Sequence, residues 1–98
     1  MAILIVFDIP GMTQDAYQQS IVKLTGGRDA VKSSSDWPVP GLVTHTAATT
    51  PNGFFVADVW ESEEAFQKFG EIIRPILEGL GVADVQPKIY PVVNLVTP

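Results

Sequence analysis

Phe54-Phe55-Val56-Ala57-Asp58-Val59-Trp60-Glu61-Ser62-Glu63-Glu64-Ala65-Phe66 passes from strand to helix. Residues 54–60 are β-branched or aromatic apart from Ala57 and Asp58, which predicts a strand. Ser62 is placed to cap a helix, with Glu63 and Glu64 in its first turn near the positive end of the dipole. Beyond it, Phe66, Phe69, Ile73, Ile76, Leu77 and Leu80 keep a helical period. Pro75 falls inside that run, where a kink is expected, and Gly79 and Gly81 end it.

Working back, Leu42 to Ala48 reads as a second strand, joined to the first through Thr49-Thr50-Pro51-Asn52-Gly53. Pro-Asn-Gly is a turn signal, so the two strands form a hairpin. Setting Ala48 opposite Gly53 places His45 opposite Val56, with Asp58 diagonal to it. A one-residue slip would move His45 to the other face. Further back, Ala2 to Asp8 is a strand stopped by Pro10-Gly11. Thr13 can cap a helix with Asp15 in its first turn, and Met12 and Tyr17 have hydrophobic-staple spacing. Tyr17, Ile21 and Leu24 form its apolar stripe, and Gly26-Gly27 stops it. Arg28 to Pro40, with three serines and two prolines, reads as a long loop, either a lid with Trp37 at its tip or a partner contact. The last strand lies within Gln86 to Val96. Its Pro87 and Pro91 put it on an edge.

The order β-α-β-β-α-β with right-handed crossovers predicts an α+β, ferredoxin-like fold. Its four-stranded antiparallel sheet has the order 4-1-3-2, with both helices on one face. Residues 1–98 are read as one domain with a long loop at about 26–40. The net charge of −5 and pI near 4.5 argue against nucleic-acid or anionic-membrane surfaces. Having no cysteine removes thiolate catalysis and Cys-based zinc sites. The apolar run from Ile3 to Phe7 is too short for a signal-peptide core or a membrane span, and a cytoplasmic location is expected.

Strand 1 does not alternate apolar with polar residues, so both of its faces are expected to be covered. In strand 3, Phe55/Ala57/Val59 suits the helix side. Phe54/Val56/Asp58/Trp60 is then left needing a cover, which a second copy would supply. A homodimer joined sheet to sheet is the expectation, with any active site beside the seam.

The run Asp58 to Phe66 resembles the strand-to-helix junction of the antibiotic biosynthesis monooxygenase-like, dimeric α/β-barrel proteins. Pro10-Gly11-Met12-Thr13 and Val93-Asn94-Leu95-Val96 resemble the corresponding segments of small bacterial members. The resemblance covers nearly the whole chain in order and spacing. It implies a dimeric barrel with a lumen between sheet and helices that holds hydrophobic, often aromatic or polyketide-like, molecules. The activities it implies are cofactor-independent oxygenases and isomerases, with haem-degrading enzymes and proteins of no known activity also among the members. The haem-degrading branch uses an Asn near the end of strand 1 and a Trp and a His on the second helix. Those places here hold Phe7, Phe69 and Gly79, which argues against haem.

Among the residues themselves, His45 is the single histidine and Asp58 a lone carboxylate in an apolar strand. Together they are candidates for acid/base work, the carboxylate holding the imidazole in one tautomer. The plainer readings are a satisfied half-buried histidine and a polar contact at a dimer seam. Trp60 can wall a flat ligand or simply pack. Tyr90 and Asn94 can orient a carbonyl or satisfy the sheet edge, and Val43 and Val56 would share the His45 face. No phosphate loop, nucleophile elbow or Cys/His cluster is present, so no cofactor or metal is expected. An enzyme on a hydrophobic small molecule, a non-catalytic carrier and a bare dimerisation module all remain open.

Overall fold

The computed structural model describes residues 1–28, 31–82 and 85–98. Its elements are β1 (Ile3–Pro10), α1 (Gln14–Thr25), a single 3-10 turn (Ser34–Asp36), β2 (Leu42–Thr50), β3 (Gly53–Trp60), α2 (Glu63–Gly79) and β4 (Lys88–Pro91). The four strands form one antiparallel sheet in the order β2-β3-β1-β4, the predicted order read from the other edge.

Local chemistry sets the helix ends. The Thr13 hydroxyl accepts from the Ala16 N–H at 3.0 Å, and Ser62 accepts from the Ala65 N–H at 3.1 Å. Gly26 closes α1 at φ +70°, a left-handed conformation that costs glycine nothing. α2 runs on through Pro75 to Gly79, so the proline does not end it. Gly53 is required where the hairpin meets β1, because a side chain there would collide with the Ile9 carbonyl. β4 pairs only with β1, the edge position its proline tolerates.

The sheet corrects the predicted faces. Ile3, Ile5, Phe7 and Ile9 point to one side, opposite Trp60, Asp58, Val56 and Phe54 in that order. All eight are buried, and with Ile21, Leu24, Phe66 and Phe69 of the two helices they make the core, Asp58 set among them. The set containing Asp58 and Trp60 is therefore the helix-covered face, and Phe55/Ala57/Val59 is the outer one. The reason is reach: helices packed on a sheet need bulky side chains to meet them. Phe54 and Trp60 fill that layer better than Phe55, Ala57 and Val59 would. In burial, β1 is buried on the helix side and half-buried or exposed on the other.

The hairpin register also differs. Thr50 lies opposite Gly53 and Ala48 opposite Phe55. This two-residue shift keeps His45 on its face but moves it from Val56 to a position directly opposite Asp58. An irregularity between Leu42 and Thr44 leaves Val43 as the extra residue, turned out and exposed.

Residues 29 and 30 of the expected loop lie outside the described residues. From Val31 onward the segment is a strap over the sheet. The Asp36 carboxylate accepts from the Lys32 N–H at 3.0 Å, with the Arg28 guanidinium 3.4 Å away. The Lys32 amide chiefly, and then Arg28, hold the Asp36 carboxyl below the usual carboxylate range. Trp37 is not an exposed tip. It is buried in the core at 7% exposure, its ring 5.7 Å from Phe69.

Candidate active site

His45 and Asp58 meet on the helix side of the hairpin because they are cross-strand partners. The Nδ1 of His45 lies 2.6 Å from Oδ1 of Asp58, and Nε2 lies 2.7 Å from the hydroxyl of Tyr17 on α1. Burial first, and then the negative charge of Asp58, push the Tyr17 phenol up from 10.0 to about 12. Tyr17 therefore keeps its proton and donates it to Nε2. The imidazole nitrogen left over donates to Asp58, so one tautomer satisfies the whole chain: Tyr17 O–H to His45 Nε2, His45 Nδ1–H to the Asp58 carboxylate. Asp58 is 1% exposed, a burial that is tolerable only because the imidazole answers it.

Aromatic rings fix the geometry. The Tyr17 ring stacks on Phe54 at 4.7 Å, and the Trp37 ring lies 4.7 Å from His45. The Ser20 hydroxyl, buried one turn along α1, donates to the Tyr17 carbonyl at 2.6 Å.

Tyr17, Ser20, Trp37, His45 and Asp58 line a cavity of about 50 Å³ between sheet and helices, walled otherwise by Phe7, Ile9, Met12, Val56, Phe69 and neighbouring apolar residues. That volume is room for a few waters or the edge of a larger molecule. His45 also borders a cleft of about 200 Å³ formed by Val31, Lys32 and Ser33 of the strap with residues 42–44 of β2. A third cleft, of about 650 Å³ beside α2, shares Phe7, Ile73 and Leu77 with the cavity but includes neither His45 nor Asp58.

Of the residues singled out from sequence, the structure brings His45, Asp58 and Val56 together on the cavity wall. Trp60 is fully buried behind Phe69, its ring 5.1 Å from that phenylalanine, and packs the core. Val43 lines the surface cleft instead of sharing the His45 face. Tyr90 lies opposite Leu4 on the outer face and is 48% exposed, and Asn94 lies beyond β4, also exposed. None of these last three reaches the cavity. The polar pair and the outer face are on opposite sides of the sheet, so the site does not adjoin the face left open.

Sequence reasoning missed Tyr17 and Trp37 as site residues. Tyr17 had a signal: its hydroxyl sits in an apolar helix stripe and so needs a partner on whatever that stripe covers. Trp37 had none, since nothing local shows that an irregular segment folds inward.

Among the described residues, no three His, Cys, Asp or Glu side chains gather as metal ligands, and no helix is long and apolar enough to cross a membrane.

Fold and site together define a ferredoxin-like α+β domain with a polar relay set in an apolar cavity. The chain is similar to a solved variant of SnoaB, a cofactor-independent oxygenase from Streptomyces nogalater. The TM-score is 0.60 and the identity 13%, over 99% of this chain and 96% of that one. At that identity the likeness carries the fold. No family model and no curated protein matches the sequence.

The raised Tyr17 ionisation has a measurable consequence. A phenol whose folded pKa lies above its unfolded value stabilises the fold fully below pH 10, and that contribution is lost as pH rises toward 12. Urea denaturation stepped through this window is expected to show the native protein losing about 1–2 kcal/mol that Tyr17→Phe does not lose. Identical pH profiles for the two proteins would refute the buried, protonated phenol.

Proposed function

We propose that this protein is a cofactor-independent enzyme of oxygenase or isomerase type. Its substrate is a hydrophobic aromatic or polyketide-like molecule, and its first step removes a proton from carbon beside a carbonyl. The observation that carries this reading is the Tyr17–His45–Asp58 chain inside an otherwise apolar cavity. As Tyr17 Oη takes the substrate proton, it passes its own to Nε2 of His45. The imidazolium so formed is stabilised by Asp58, which already holds the ring in the required tautomer. The substrate is left as an enolate. In an isomerase that anion regains a proton at another carbon; in an oxygenase it reacts with dioxygen as co-substrate. The small cavity receives the reacting edge, and the cleft bordered by Val43 and His45 takes the body of the ligand.

2-Tetralone carries such a carbon beside an aromatic ring. In D₂O the native protein is expected to speed exchange of that C–H, followed by NMR, and His45→Gln to lower the catalysed rate by about 10²- to 10⁴-fold. Exchange no faster than in buffer, or an unaffected His45→Gln, would sink the proposal. Tight binding of the ketone that survives His45→Gln without any exchange would mark a carrier instead.

We read the outer sheet face as the seam between two copies. Leu4, Val6, Phe55 and Ala57 are half-buried or exposed there, with Val59 buried beside them, on the side of the sheet away from the helices.

A further inference from the structure

Tyr17, His45 and Asp58 satisfy one another. Another polar group of the cavity wall is left over. The indole N–H of Trp37 is buried and has no hydrogen-bond acceptor, although the residue is only 7% exposed and lines the cavity with His45 and Asp58. A buried donor without a partner is costly, and proteins seldom keep one without use. The indole of Trp60 is unpaired as well, but it lines none of the cavities described and is enclosed by the rings of Phe66 and Phe69. Of the two indoles, that of Trp37 alone belongs to a residue of the cavity wall.

Trp37 is also held in place from outside. The Asp36 contacts to Lys32 and Arg28 pin the strap immediately beside it, and Phe69 and His45 flank its ring. A donor fixed on two sides is suited to selecting where an acceptor sits, a few ångströms from the imidazole.

The geometry points to Trp37 as the residue that orients the ligand: its indole N–H donates to a carbonyl oxygen of the molecule whose adjacent carbon faces the Tyr17–His45 pair. This inference rests on the proton-abstraction reading and adds the ligand's chemistry: an apolar body with a neutral oxygen acceptor. Trp37 is on this account a positioning residue. The donated hydrogen bond also favours the enolate over the ketone, because negative charge grows on the oxygen it contacts.

The test pairs 2-tetralone with tetralin, which has the same ring system without the oxygen. With ¹⁵N-labelled protein, saturating 2-tetralone is expected to move the Trp37 indole proton downfield, and tetralin to leave it nearly unmoved. Trp37→Phe assigns that resonance and keeps a ring in place. It is expected to weaken 2-tetralone binding by about fivefold and tetralin binding by less than about twofold. If 2-tetralone saturates the protein without moving the indole proton, the inference fails while the proton-abstraction reading stands on its exchange assay. Equal losses for both probes in Trp37→Phe would also overturn it, leaving Trp37 a packing residue. If neither probe binds nor exchanges, both readings fall. Triple-resonance and NOE assignment on the native chain identifies the same resonance, so the test decides the matter even if the variant does not fold.

Discussion

Asp58→Ala is expected to cost the fold about 2–4 kcal/mol, the loss of a hydrogen bond to a charged group together with a buried donor left unpaired. Asp58 lies at the centre of the sheet, opposite both Ile5 and His45, and is 1% exposed. Without it the Nδ1–H of His45 loses its acceptor in an apolar layer, and a space opens beneath Phe69 that the neighbouring strands cannot close. Small domains have only about 5–15 kcal/mol in total, so the variant should sit near its unfolding midpoint in modest urea. The decisive comparison is a triple variant, Asp58→Leu and His45→Leu with Tyr17→Phe. Removing all three members leaves none of the relay unpaired, so the triple variant should be more stable than Asp58→Ala despite losing more polar atoms. Urea denaturation by circular dichroism reads both. A loss below about 1 kcal/mol for Asp58→Ala would show that the pair does not hold the core together.

Ala57→Glu is expected to turn the protein into a monomer at micromolar concentration without unfolding it. Ala57 is on the outer face of β3, with Val6 and Thr46 as its cross-strand neighbours, so its side chain leaves the core untouched. If that face is a seam about a two-fold axis, every substitution acts twice and near itself. Two carboxylates would then be buried together, each costing several kcal/mol without a partner. That is enough to weaken association by about a thousandfold or more. Sedimentation equilibrium should give a dimer for the native chain and a monomer for the variant, with unchanged circular dichroism. A native chain that sediments as a monomer would refute the seam directly.

How much of this was legible depends on the range of the interactions involved. The caps at Thr13 and Ser62, the stop at Gly26 and the Pro-Asn-Gly turn act over a few residues, and the sequence carries them in full. The strand order follows from the same elements, because short right-handed connections leave few alternatives. The faces of β3 were not legible. Both of its alternating sets are largely apolar, and composition alone does not reveal which set meets helices and which meets open space. The hairpin register was displaced by two residues for a similar reason: the turn signal locates the loop but not which residue closes it.

The site divides along the same line. A lone histidine and a lone buried carboxylate on adjacent strands were visible from the sequence. Their direct pairing depended on register, and the partners on either side depended on packing. Tyr17 joins them only because α1 crosses β2 and β3 on that face. Trp37 joins them only because the strap folds inward, bringing its ring 4.7 Å from His45. By itself the sequence determined the elements, their order and the two residues at the centre of the relay, because periodicity, capping and strand alternation are local and additive. Only the tertiary structure decided which face is inside, how the relay is completed and where an unpaired donor is left. Those outcomes depend on side chains far apart in the chain competing for one small volume, and no local pattern encodes which of them fills it.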